Sequence, residues 1–439
     1  MTPSEPTRLS APERRVLGWL LALAAVVRGS YIAYFGRLVR NAEPILFDSF
    51  WYRTQAYAVA HGNLFERVDI FRPSVAGGPT AEHPPLTSLL LAPVARVFGS
   101  GRMPMTIAVA CVGIVNVALV FVLARRVGGR RAAYWAGAIA ALYPFIWIND
   151  TLVMSETFAS TIVLVLLLLV MRPTPPNPTR WAALLGFVCA LGALTRSEFL
   201  LLVPLVALPA LIAANRRSPI GLGRCLVVLA LVFGAVVGPW VAYNLSRFER
   251  PVFITTSGEQ NLLGGSCDDA FYGWKTGLLG FCVPYPYPTG EPSVVAAQFR
   301  AKAIDYTRHH EGRYLVVVLA RAGRDWSLFR PADMVSLNVT EGRPRWVTIS
   351  GLVWYYPLLV AAIVGAVLLR RRRAQLWPLL SIPLVVTLTA FVSWGQIRYR
   401  SYAEPVLVVL AAVALSSIRR RRETTLRDDE TTALAEVRP

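Results

Sequence analysis

Ten runs of predominantly apolar residues recur along this chain, at 16–36, 103–124, 133–149, 156–171, 181–195, 198–214, 225–245, 350–369, 375–393 and 402–418. Most approach the length that a helix needs to cross the hydrocarbon of a bilayer. In that medium every backbone polar group must be satisfied within the chain, which leaves helices as the form for such runs. The sequence therefore predicts an all-α polytopic membrane protein of about ten transmembrane helices. Composition agrees: 16% of the residues are charged and 55% hydrophobic, whereas soluble domains carry about 25% charged residues. The N-terminus reads as uncleaved, because a polar stretch with Arg14 and Arg15 leads into a long span without a small-residue cleavage site.

The links between the runs alternate in character. One set is arginine-rich: "ARRVGGRR" at 124–131, "MRPTPPNPTR" at 171–180, "NRRSPIGLGR" at 215–224, and "RRRR" at both 370–373 and 419–422. The positive-inside rule assigns these to the cytoplasm. The other set then faces outward, with both termini inside, as expected of a multi-pass protein of the inner (plasma) membrane. Two outer segments are large, 37–102 and 246–349. The chain divides accordingly into an N-terminal transmembrane module at 1–245, the outer loop region at 246–349, C-terminal transmembrane helices at 350–418, and a polar tail at 419–439 read as cytoplasmic and disordered. Two further segments read as helices lying in the outer interface. One is 84–99, which is short and contains Pro93 and Arg96. The other is 312–329, where Arg321, Arg324 and Asp325 argue against a span. A short amphipathic helix is expected at 48–61.

The formal charge is +19, and only Lys275 and Lys302 of the 45 basic residues are lysines. That bias fits GC-rich bacterial coding. Because the arginines sit between apolar runs, they read as topology signals and anionic-lipid contacts, not as a nucleic-acid surface. Cys111, Cys189 and Cys225 lie in apolar runs and read as small core residues. Cys267 and Cys282 share the outer segment, and their pairing is open. No phosphate-binding glycine loop, nucleophile elbow or CxxC pattern is present.

Chemistry-bearing residues gather at the outer links. In "FDSFWY", Asp48 stands among rings beyond the first span. A carboxylate there can take a proton from an attacking hydroxyl, or it can cap the helix that follows. Glu82 and His83 precede the Pro84-Pro85 entry to the 84–99 helix, whose N-terminus is a candidate phosphate site. Asp150 and Glu156 lie at the next outer boundary, where acids usually face a cavity or a partner; Ser155 is placed to cap the helix after it. Arg196 and Glu198 form either a mutual pair or part of a shared pocket. In "WGQIRYRSYAEP", Arg398 and Arg400 could grip a phosphate by paired donors, on one face if the turn is extended. Tyr399 lies between them.

The ordered set "FDSFWYRTQAYAVAHGNLF", "EHPPLTSLLLAPVARVFG", "YPFIWINDTLVMSETF", "LGALTRSEFLLLVPL" and "RYRSYAEPVLVVLAAVAL" resembles the GT-C superfamily of membrane glycosyltransferases. The nearest resemblance is to its protein O-mannosyltransferase and aminoarabinose-transferase-like group. The resemblance implies transfer of a sugar from a polyprenyl-phosphate donor to a glycan, lipid or protein acceptor on the outer face. Asp48 would be the catalytic acid–base residue. Glu82, His83, Glu156, Arg196, Arg398, Tyr399 and Arg400 would bind substrate. Many relatives carry a second acid directly after the first; this chain has Ser49. That departure bears on any metal mechanism, so a divalent cofactor stays open. The alternatives are a transporter or flippase of a lipid-linked sugar, or a non-catalytic subunit of envelope assembly. Intramembrane charges near the midplane would favour the transporter.

Overall fold

The computed structural model describes residues 9–38, 47–67, 77–172, 177–216, 218–280, 282–284 and 288–417; the tail at 419–439 lies outside them. Regular structure among the described residues is helical, apart from an isolated antiparallel bridge between Glu66 and Pro79. Five helices are long and apolar enough to cross a membrane: Ala11–Phe35, Arg102–Gly128, Ser197–Ala214, Pro219–Leu245 and Arg345–Arg371. Shorter apolar helices are Leu86–Phe98, Glu156–Val170, Pro178–Ala193, Trp377–Thr389 and Glu404–Ser417. Each expected span coincides with a helix. The run at 133–149 differs in form, because its helix stops at Leu142. Pro144 supplies no N–H for a further turn, and the chain continues as a short Pro144–Trp147 helix and a 3₁₀ turn at Asn149–Thr151.

Contacts define two ends of the bundle. At one end, Arg125 pairs with Glu13 at 2.7 Å. Arg126 donates to the carbonyl of Leu168, and the Trp181 indole donates to that of Leu169 at 3.0 Å. The links at 124–131 and 171–180 thus meet at this end. Glu156, at the start of the helix that Leu168 and Leu169 finish, lies at the other.

Glu404–Ser417 runs through the middle of the core. Val406, Val408, Val409, Ala411 and Val413 are fully buried, which is the environment expected for a helix apolar on all faces. Gly365 lets the neighbouring span approach it: a Cβ there would fall 1.9 Å from the carbonyl of Leu410. Small residues at such crossings let membrane helices pack closely. A second repair is at 203–207, which winds as a π-turn. Pro209 has no N–H for the carbonyl of Leu205, and the Ser381 hydroxyl reaches that oxygen at 3.0 Å from the adjacent helix. A freed carbonyl in a span needs such a partner.

Both segments expected as interfacial helices are helical. Leu86–Phe98 has 13 residues, about 20 Å at 1.5 Å per residue, too short for a bilayer core of about 30 Å. It buries Leu91 and Ala95 and exposes Leu89, Leu90, Val97 and Phe98. Glu311–Asp325 is amphipathic in an inverted sense. Its charged face is buried, with Arg321 donating to Gly265 O and Arg324 to Thr276 O and Trp274 O. Leu315, Val316 and Leu319 point outward, Leu315 and Leu319 more than 60% exposed. The described residues of 246–349 form helix and loop, with further helices at Ser257–Gly264, Pro292–His309 and Pro331–Thr340. Cys267 and Cys282 form a disulfide, which settles the pairing that spacing left open.

Candidate functional site

The Phe47–Ala60 helix carries Asp48 in its first turn. Its carboxylate does not bond that helix's own N–H groups. Oδ2 accepts from Arg398 Nη2 at 2.5 Å, across 350 residues of sequence. Oδ1 lies 3.6 Å from His83 Nε2, a charge contact too long for a hydrogen bond. The guanidinium of Arg398 faces two further acids, Glu156 Oε1 from Nε at 3.0 Å and Glu341 Oε1 from Nη1 at 3.2 Å. Three carboxylates thus surround one cation.

Glu156 is the most buried of the three, 1% exposed. Arg196 Nη1 and Arg343 Nη2 also approach its Oε1, at 3.7 and 3.9 Å. Neither Glu156 oxygen receives an aligned hydrogen bond. Its charge is balanced while its hydrogen-bonding capacity is unused, an arrangement suited to hydroxyl donors. Arg196 pairs with Glu198 at 2.5 Å and donates to the Ser155 hydroxyl at 3.3 Å. It also lies about 6 Å over the rings of Tyr399 and Tyr402. Arg196 thus pairs with Glu198 and also lies beside Glu156. Ser155 occupies the cap position of its helix without making the cap bond.

Electrostatics follow from this packing. Burial alone would raise the Asp48 pKa, but the Arg398 charge and then His83 outweigh it and hold the carboxyl well below the usual carboxylate range. Burial would lower the His83 pKa, and the Asp48 carboxylate reverses that, raising it above the ordinary imidazole value. Two of the rings that follow Asp48 in sequence pack on His83. Tyr52 stacks on the imidazole with centroids 5.1 Å apart, and Trp51 meets it edge-on at 4.9 Å.

Two predicted substrate residues lie outside this cluster. Arg400 and Arg398 do not share a face, because Ile397–Arg400 is a 3₁₀ turn and not an extended strand. At three residues per turn, positions two apart diverge by about 120°. Arg400 is fully buried and donates to Glu404 Oε1 at 2.6 Å, Asp325 O at 2.8 Å and Ser327 Oγ at 2.7 Å, stacked 3.7 Å from the Tyr355 ring. Glu82 is exposed, and its charge reaches the cluster as a field at His83. The start of the Leu86–Phe98 helix is also not an open anion site. Pro84 and Pro85 have no N–H, and that of Leu86 donates to Leu194 O at 2.9 Å.

Three residues were missed in the sequence. Glu341 and Arg343 come from the end of the outer region, and the charged "EGRPR" just before a span was the available signal. Arg28 lies within the first apolar run and pairs with Asp150 at 2.5 Å, both about 2% exposed or less.

Residues 82–243 match the family described as dolichyl-phosphate-mannose-protein mannosyltransferase. That stretch includes His83, Glu156 and Arg196, but neither Asp48 nor Arg398. The fold matches archaeal oligosaccharyltransferase AglB from Archaeoglobus fulgidus, solved with an inhibitory peptide and a dolichol-phosphate. The TM-score is 0.56 at 15% identity, covering 96% of this chain and 52% of that one. The apo form of the Archaeoglobus fulgidus oligosaccharyltransferase matches at 0.54 and 17% identity, with 96% and 52% covered. ArnT from Cupriavidus metallidurans, bound to undecaprenyl phosphate, matches at 0.43 and 16%, with 91% and 78% covered. The chain thus spans about half the length of the archaeal enzyme. No curated protein matches the sequence.

A divalent cation does not suit the residues present. The Arg398 guanidinium lies between Asp48 and Glu156. Among the described residues no three His, Cys, Asp or Glu side chains gather as a metal site.

Proposed function

We propose that this chain, which has the fold of the GT-C superfamily of membrane glycosyltransferases, moves a sugar from a polyprenyl-phosphate donor to an acceptor hydroxyl at the extracytoplasmic membrane boundary. The observation that carries the reading is the contact between Asp48 and Arg398 at 2.5 Å. It joins a proton acceptor to a phosphate-binding cation at the end of the bundle opposite the links at 124–131 and 171–180. The match of residues 82–243 to a mannosyltransferase family supports a lipid-linked donor.

In the proposed reaction the acceptor oxygen attacks the anomeric carbon, and its proton passes to Asp48. The bond from that carbon to the phosphate oxygen breaks, and the electron pair leaves with the polyprenyl phosphate. A phosphate leaving group needs little protonation, so no strong general acid is required. Arg398 meets the developing charge on it. Asp48 is a weak base while Arg398 and His83 face it. Its first contribution is to orient the attacking hydroxyl, and it gains basicity as Arg398 turns to the phosphate. Glu156 offers unused acceptor capacity to hydroxyls of the donor sugar, and Arg196 balances its charge.

The test uses purified protein in lipid, radiolabelled polyprenyl-phosphate sugars and cell-envelope acceptors, with wild type compared against Asp48→Asn and Arg398→Ala. Transfer by wild type that is lost in folded Asp48→Asn supports the enzyme. Movement of lipid across the bilayer without transfer would replace it with a flippase. Full activity in both variants would sink the proposed roles.

A further inference from the structure

Resting on that reading, we propose that Glu341 is a positioning residue for Arg398. It holds the guanidinium by Nη1 so that Nη2 can leave Asp48 for the donor phosphate without the side chain losing its place. The geometry divides the cation into three edges. Nη2 meets Asp48, Nε faces Glu156, and Nη1 meets Glu341 at 3.2 Å. An incoming phosphate competes with the first two, because it must take paired N–H donors from their side of the guanidinium. An arginine stem is long and flexible, and once released from Asp48 it needs a fixed point elsewhere.

Glu341 supplies that point because it is itself fixed. Arg343 Nη1 holds its other oxygen at 2.8 Å. Arg343 is 3% exposed and donates through Nη2 to Asn149 Oδ1 at 3.0 Å. A relay therefore runs from Asn149, in the turn before Glu156, through Arg343 and Glu341 to Arg398. It ties the outer loop region to the candidate site through two side chains that follow the Pro331–Thr340 helix.

Glu341 also sets the charge that a phosphate would meet. In this cluster the carboxylates of Asp48, Glu156, Glu198 and Glu341 face the guanidiniums of Arg196, Arg343 and Arg398. Phosphate binding is held weak by this balance, which favours release of the polyprenyl phosphate product. Neutralising Glu341 releases the Nη1 edge and leaves more of the Arg398 charge to the phosphate, which tightens anion binding roughly tenfold, the size of one charge-assisted hydrogen bond.

The experiment measures binding of polyprenyl phosphate alone to the full chain in lipid nanodiscs, for wild type, Glu341→Gln, Arg398→Ala and the double variant. The kcat and donor KM are measured alongside. The expected result is tighter lipid binding and lower donor KM in Glu341→Gln, with kcat reduced, and no effect of Glu341→Gln once Arg398 is Ala. That non-additivity marks action through Arg398, and a merely structural role would not tighten binding. Glu341→Asp, which keeps the charge but shortens the reach, should lower kcat without tightening, and it serves if Glu341→Gln does not fold. Unchanged binding and kcat in Glu341→Gln, or the same effect with and without Arg398, overturns the proposal. Wild type that binds no polyprenyl phosphate overturns instead the donor reading on which it rests.

Discussion

Gly113 offers the sharpest test of how the bundle is assembled. A Cβ at this position would lie 2.2 Å from Asp150 Cγ, 2.4 Å from Oδ2 and 2.6 Å from Cβ. Asp150 has little freedom to move aside. Its Oδ2 accepts from Arg28 Nη2 at 2.5 Å and Nε at 2.9 Å, and its Oδ1 accepts from Thr157 Oγ1 at 2.8 Å. Gly113→Ala therefore has two escapes. The Arg102–Gly128 helix can shift outward, an overpacking cost of about 1–3 kcal/mol. Alternatively the carboxylate can rotate off Arg28, leaving a broken buried pair at about 3–5 kcal/mol. The cheaper route sets the outcome, so about 2 kcal/mol is expected, and either route disturbs the turn from which Asn149 holds Arg343. The assay is thermal unfolding in one detergent for wild type, Gly113→Ala, Asp150→Ala and the double variant. Gly113→Ala should lower the midpoint clearly, and in the Asp150→Ala background it should add less, because Cγ and Oδ2 are gone and only the Cβ contact at 2.6 Å remains. A midpoint unchanged in Gly113→Ala, or fully additive losses, would refute the argument.

Other outcomes are expected at the site and around it. Asp48→Asn should reduce kcat by about 10²–10⁴ while polyprenyl phosphate binding is kept or strengthened; weaker lipid binding in equilibrium measurements would contradict its assignment to the acceptor side. Because the His83 pKa is raised, its charged form is stabilised below the ordinary imidazole value, and that contribution is lost as pH rises through the folded value. Stability should accordingly fall as pH rises through that folded value, read as a lower unfolding midpoint, and this step should be absent in His83→Gln. Arg400→Ala strands buried Glu404 and should cost about 3–5 kcal/mol, seen as a lower unfolding midpoint, with donor KM in the folded fraction unchanged. The disulfide closes a separation of 15 residues. Cys282→Ser should therefore loosen the outer region by up to about 3 kcal/mol, read as faster hydrogen exchange at 264–280 with little change in the spans.

The helical architecture was legible because bilayer thickness imposes a length on every span, and the apolar runs display that length directly. That Leu86–Phe98 is a helix too short to span was legible from the length of its apolar run. Asp48, Glu156, Arg196 and Arg398 could be nominated since ionisable groups at a membrane boundary are expensive without a partner. Their mutual contacts could not be read, because Asp48 and Arg398 meet through packing across the whole bundle. Arg400 was misplaced for a local reason: the sequence does not reveal whether "IRYR" extends or winds, and two-residue spacing changes face between those forms. Glu341 and Arg343 escaped notice inside a long outer segment without periodicity. Arg28 was passed over because one arginine barely interrupts an otherwise greasy run, while its partner Asp150 lies 122 residues away.

The helix at Glu311–Asp325 turns the usual order of a surface helix inside out. Arginines that would ordinarily meet water clamp loop carbonyls, and leucine and valine are what the outside world touches. Cut free of the spans and placed in buffer, the segment 246–349 would carry a bare greasy flank and would tend to clump. In the proposed topology that flank would meet acyl chains, which would serve the segment as one of its walls.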